Sequence, residues 1–288
     1  MTGDPFVAHR SLLFTVAYEM LGSAADAEDV LQESWLRWAG VDRSAVREPR
    51  AYLVRVVTRQ ALNRLRTLSR SREEYVGEWL PEPLLTSPDV AEDVELAESV
   101  SMAVLTVLET LGPTERAVFV LREVFEMPYG EIAEATGKSA AAVRQIARRA
   151  REHVVARRPR MRVSRSEQQA VLERFLAALR TGNLQDLMEV MAPDVVLIAD
   201  GGGIVTAARA PLHGSELIAK LFTRANRVVA EIETTTVHLN GAPAGRLEVD
   251  GESAAVSVVV EDGRITRIYV VRNPRKLTRL DEPSELAR

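Results

Sequence analysis

Between Tyr129 and Arg151 the chain places small and apolar residues at the spacing of two short helices meeting at a tight turn. Ile132 and Ala133 fall on the first helix, Gly137 where the chain must reverse, and Val143 and Ile146 on the second. Ala133 is small enough to let the helices approach, and Gly137 can take the positive φ that such a turn requires. The spacing leaves Arg144, Gln145, Arg148, Arg149 and Arg151 clear of the core. This is the pattern of a helix-turn-helix whose second helix enters a DNA groove. An αα-hairpin with a solvated basic face is the plainer alternative.

A net charge of −4 would oppose nucleic-acid binding if it were evenly spread, and it is not. Residues 47–72 hold eight arginines and one acid, 73–98 nine acids and no base, and 144–165 nine arginines and one acid. Local field decides where a phosphate backbone settles. The absence of cysteine excludes disulfides and thiol chemistry and agrees with a reducing compartment. His9, His153, His213 and His238 show no metal-ligand spacing, and no metal or cofactor is expected. Neither a secretory signal nor a run long enough to span a membrane is visible, so the expectation is a soluble, cytoplasmic protein without a membrane partner.

At 288 residues the chain suits two or three domains. Periodicity predicts helices over Asp4–Leu21 and Ala24–Ala39, and a third opened by Pro49. Residues 1–72 read as a helical bundle with one acidic and one arginine-lined helix. Trp35, Trp38 and Tyr52 lie on the apolar stripe and read as core. Residues 73–98, with Pro81, Pro83 and Pro88, read as an extended acidic linker. Residues 99–159 read as a second helical domain, with helices near Ala97–Leu111 and Thr114–Phe125 before the helix-turn-helix, closed by Pro159. From 164 to 280 a capping box at Ser164 opens a helix to Arg180, Asn183 caps another to Met191, and strand-like runs follow, including Val195–Ala199 and Ile204–Ala207. Asn240-Gly241, Asp250-Gly251 and Asp262-Gly263 punctuate the last four runs as hairpin turns. The expectation is two all-α domains followed by an α+β domain with a curved antiparallel sheet, and a tail over 281–288.

Taken together these segments resemble the group IV (extracytoplasmic-function) sigma factors of RNA polymerase. Asp26–Arg37 is similar to their region two, and Leu111–Leu121 with the helix-turn-helix to their region four. Trp79-Leu-Pro-Glu-Pro83, Asp200-Gly-Gly-Gly203 and Asn273-Pro-Arg-Lys-Leu277 resemble markers of the branch with a C-terminal SnoaL-like cone. Ile204 stands where that branch usually has lysine after the glycines.

The resemblance implies roles. Asp29, Gln32 and Glu33 would dock on core RNA polymerase. The Gly40–Glu48 loop with Arg55, Arg59, Asn63 and Arg66 would meet the minus-ten promoter element. Arg144, Gln145 and Arg148 would read the minus-thirty-five element, with Arg149 and Arg151 on phosphate. Trp79, Pro81, Asp200, Gly201, Gly202, Gly203, Asn273 and Pro274 would form a regulatory contact between the cone and region two. The acidic linker would thread the basic channel of the polymerase, or serve as a solvated tether. In the cone, Asp194, Asp200, His213 and His238 are the groups an isomerase would need, but no pattern places them together, and the resemblance implies a regulator rather than an enzyme. Whether the cone takes a small ligand is left open. A ligand-sensing helix-turn-helix repressor or activator is the alternative.

Overall fold

The computed structural model describes residues 4–87, 90, 93–158, 163–229 and 232–288, without the side chains of 69–71 and 73. Pro88 and Pro159, the latter expected to close the second helical segment, lie outside the described residues.

The first helices are α1 (Pro5–Ala8), α2 (Arg10–Leu21), α3 (Ala24–Ala39) and α4 (Pro49–Glu73). The expected first helix is interrupted at His9, where φ is −109°. Ser23 caps α3 by accepting from Asp26 N at 3.2 Å, and Pro49 opens α4 as expected. Trp38 is fully buried, with Trp35 and Tyr52 packed beside it, so the aromatic stripe is core.

The next group is α5 (Val94–Ser99), α6 (Met102–Leu108), α7 (Pro113–Phe119), α8 (Tyr129–Thr136) and α9 (Ala140–Arg157). The helix expected over Ala97–Leu111 is two, because Ser101 caps α6 through Val104 N at 3.3 Å. The helix expected to Phe125 leaves α geometry after Phe119 and widens into a π turn, Val120–Val124, which keeps both Val120 and Leu121 buried. Leu13, Tyr18 and Leu53 from α2 and α4 share one apolar cluster with Leu105, Val118, Ile132 and Val143 from α6–α9. The two helical groups are therefore packed as one body, with α8 lying across α4.

The C-terminal part contains α10 (Arg165–Thr181), α11 (Leu184–Val190), β1 (Met191–Asp200), β2 (Leu212–His213), α12 (Ser215–Val228), β3 (Ile232–Leu239), β4 (Ala242–Val249), β5 (Glu252–Glu261) and β6 (Arg264–Val271). The sheet order is β2-β1-β6-β5-β4-β3. All three expected turns have positive φ at both central residues, as tight hairpins of opposite-handed turn type require. The sheet is mixed rather than antiparallel, since β1 pairs with β6 in parallel. Period-two patterning marks strands but carries no information about which distant strand lies alongside. Residues 204–207 are not a strand: Ile204 N and Val205 N both bond Gly201 O, at 3.0 and 3.1 Å, folding the segment into a turn.

Alternation splits the sheet between two cores. Val256, Val258 and Ile268 face Leu172, Phe175 and Ile218 of the helices. Ala255, Val259, Tyr269 and Val271 face the other way, onto Leu80 of the linker and Met102 of α6. Residues 78–87 are extended, but Val94–Ser99, also expected within the extended linker, forms α5, and the segment is not a free tether. Leu80, Pro81, Glu82, Pro83 and Leu84 are buried between the helical body and the sheet. Leu85 bridges Leu239 at the open edge of β3.

Candidate functional site

The geometry of α9 follows from its ends. Gly137 terminates α8 at φ +69°, and Ser139 caps α9 by accepting from Ala142 N at 3.2 Å. Val143, Ala147, Ala150 and Val154 face inward, which leaves Arg144, Gln145, Arg148, Arg149 and Arg151 exposed along one side. Two of these are held by carboxylates: Arg148 by Glu152 at 2.9 Å and Arg151 by Glu123 at 2.6 Å. Hydrogen bonds to those carboxylates raise both guanidinium pKa values.

On α4 the structure divides the expected basic face. Arg55 pairs with Glu134 of α8 at 2.9 Å, and Arg59 donates to the Glu134 carbonyl at 3.1 Å. Asn63 and Arg66 stay exposed, with Arg66 donating to Asn63 at 3.5 Å. In the Gly40–Glu48 loop, Asp42 caps a single 3-10 turn, Arg43–Ala45, and Arg43 pairs with Asp4 at 2.9 Å.

The acidic side of α3 is open. Asp29, Gln32 and Glu33 are exposed, with Arg64 3.3 Å from Asp29 and Gln60 3.3 Å from Glu33. Leu36 lies one turn further on and is 67% exposed. Sequence reasoning passed over it, although its spacing from Gln32 and Glu33 sets it on the same face.

The eight residues expected between the cone and the helical body fall at one junction. Asp200 is fully buried. Its Oδ1 accepts from Tyr75 Oη at 2.6 Å and Gly202 N at 3.0 Å, and its Oδ2 from Leu80 N at 2.9 Å and Lys276 Nζ at 2.7 Å. Asn273 donates to Tyr75 Oη at 2.8 Å and caps the short turn that Pro274 begins. A Cβ on Gly202, at φ +63°, would lie 2.3 Å from Asn273 Nδ2, so only glycine fits. Gly201 backs onto Val205, Gly203 onto Val76, and Pro81 is buried in the linker.

The Trp79 ring has two cations against it, Arg72 and Lys276, each 3.8 Å from the centroid. Burial lowers the Lys276 pKa to about 8, against the pull of Asp200. Arg72 continues the charged chain to Glu109, and Glu109 to Arg116, whose Nε donates to Glu19 O at 2.9 Å. Tyr75, Lys276, Arg72 and Arg116 were missed from sequence. The signal for Lys276 was present, since it is one of three lysines and lies inside the Asn273–Leu277 motif.

The groups an isomerase would need are dispersed by environment. Asp194 and His213 are exposed, His238 is half-buried on β3, and Asp200 is occupied at the junction. The inner face of the cone is filled by Leu172, Phe175, Leu176 and Ile218. Among the described residues, no cluster of His, Asp or Glu could hold a metal ion, and no helix is long and apolar enough to cross a membrane.

A four-helix acidic and basic body followed by a helix-turn-helix with an arginine face defines a two-part transcription module. Residues 6–71 match the sigma-70 region 2 model and residues 101–154 the sigma-70 region 4 model. The chain belongs to the ECF sigma factors of RNA polymerase. It is 35% identical to the ECF RNA polymerase sigma factor SigJ of Mycobacterium tuberculosis, over 96% of this chain and 94% of that protein. It is 32% identical to the probable ECF RNA polymerase sigma factor SigI of the same species, over 94% and 92% of the two chains. The crystal structure of SigJ superposes with a TM-score of 0.75 at 34% identity, covering 95% of this chain and 97% of that one.

Proposed function

We propose that this sigma factor docks on core RNA polymerase through the α3 face of Asp29, Gln32, Glu33 and Leu36, and reads promoter DNA with α9 and the α4 face. The observation that carries the reading is the presence, in one packed body, of an exposed carboxylate face on α3 and an exposed arginine face on α9. A polar docking face sets register and partner choice without leaving a sticky patch on the free protein. Arg144, Gln145 and Arg148, near the start of α9, meet base edges of the minus-thirty-five element; Arg149 and Arg151 meet phosphates. Arg55, Arg59, Asn63 and Arg66 meet the minus-ten element.

The C-terminal domain acts by contact and not by catalysis. Through Asp200, Gly203, Asn273 and Lys276 it holds Tyr75, Val76, Trp79 and Leu80 of the linker, and so favours the arrangement in which α8 pairs with Arg55 and Arg59. Run-off transcription with purified core polymerase tests this: specific initiation appears only when the protein is added. A helix-turn-helix repressor or activator would leave core polymerase without specific initiation.

A further inference from the structure

The β3–β4 hairpin tip reaches a point where α2, the linker and the α5–α6 junction meet. Asn240 is buried at the tip, at φ +54°. Its Nδ2 donates to Tyr18 Oη of α2 at 2.6 Å and to Val100 O, between α5 and α6, at 3.0 Å. Its Oδ1 accepts from Leu84 N of the linker at 3.0 Å, and its own N donates to Leu84 O at 2.9 Å. Beside it, Gly241 N donates to Thr86 Oγ1 at 3.1 Å, and a Cβ on Gly241 would lie 2.8 Å from Ala97 of α5. Tyr18 in turn donates to Glu82 O at 2.7 Å, while the Glu82 carboxylate accepts from Ala24 N, at the start of α3, at 2.7 Å.

We propose that Asn240 is the keystone of the closed arrangement: one C-terminal side chain joins α2, the linker and the entry to α6, so docking of the hairpin and closure of α5–α9 over α1–α4 are a single coupled event. This rests on the reading above in which the C-terminal domain regulates the sigma core.

The physical basis is satisfaction of buried polar groups. If the hairpin leaves while the helices stay closed, Tyr18 Oη, Val100 O and Leu84 N each lose a partner in a buried site. Such orphaned groups are costly, whereas opening the helices lets water reach them. Undocking therefore favours opening. By reciprocity, anything that spreads the helices, such as binding of a large partner across both, weakens hairpin docking by the same factor.

The chain has no cysteine, so Arg37→Cys and Ala156→Cys introduce label positions on exposed sites of α3 and α9 for energy transfer in the full-length protein. Asn240→Gly keeps the turn and deletes the side chain; Tyr18→Phe deletes only the hydroxyl. Each variant is expected to raise the open population about tenfold, within the usual span of coupling factors. The double variant should open no further than the stronger single. Asn240→Asp keeps the turn geometry and the acceptor for Leu84 N but loses the donor, and decides the matter if the glycine variant does not fold. An unchanged distance distribution, with amide exchange at Leu84 and Asn240 accelerated, overturns the proposal. Additive opening by Tyr18→Phe and Asn240→Gly overturns it as well. Opening without any change in run-off transcription leaves the keystone in place and removes the regulatory reading instead.

Discussion

Glu19 sits on α2 with its carboxyl fully buried, one oxygen accepting from Ser99 Oγ at 2.8 Å and the other without a partner among the described residues. Burial pushes its pKa up to about 8, with Ser99 and the Arg116 guanidinium pulling the other way. A folded value above the unfolded one contributes stability that is complete below the ordinary carboxylate range and is lost as pH rises toward 8. Burial raises Glu82 in the same sense. Lys276, lowered to about 8, works in the alkaline window instead: its contribution is present above its ordinary value and lost as pH falls through 8. Between pH 5 and 8 the wild-type protein should therefore lose stability with pH, by no more than ~1.4 kcal/mol per pH unit for each such carboxyl. Glu19→Gln should flatten that slope in denaturant titrations at pH 5 and 8; parallel slopes would show that Glu19 ionises normally. On α9, Arg144→Ala should relax preference at one minus-thirty-five base by roughly tenfold. Arg149→Ala should weaken all sequences alike and reduce the salt dependence of binding. A uniform loss for both variants in a binding-site selection would reassign Arg144 to phosphate.

Among the elements, the linker separates what was legible from what was not. Its Pro81 and Pro83 lie in extended backbone as read, because proline fixes φ and cannot continue a helix. Its burial was illegible, because nothing in a run of nine acids announces that Glu82 will cap α3 through Ala24 N, or that Leu80 and Leu84 will lie under a sheet. The helix-turn-helix, the hairpin turns and the cap at Ser164 were legible because each is a local preference stated within four residues. The parallel pairing of β1 with β6 was not, since it joins segments separated by a helix and four strands. The Asp200 loop lies between these cases: its glycines signalled close approach, but not what approached. With Asn273 found there, Gly202→Ala should force Asn273 from Tyr75 and loosen the contact with the linker. Limited proteolysis should then cut residues 74–86 several-fold faster than in wild type; equal rates would mean the loop has room to spare.

Over the whole molecule, the shared core of α2, α4 and α6–α9 makes the isolated chain a closed body, and closure places α8 over two arginines of the α4 face. That arrangement joins elements more than seventy residues apart, so sequence could place Arg55 on a basic face but could not show Glu134 against it. The C-terminal sheet buries its outer face on the linker and α6, and the tail continues across α2, where Ala287 N donates to Thr15 Oγ1 at 3.0 Å. The closed form leaves the α3 face proposed for polymerase docking exposed. The most direct measurement is the affinity of purified core RNA polymerase for the full-length protein, compared with an Asp29→Lys, Glu33→Lys variant that keeps the wild-type melting temperature. The wild type should bind and the variant should bind at least tenfold more weakly. Equal affinity, or no binding by the wild type where another sigma factor binds, would contradict the account.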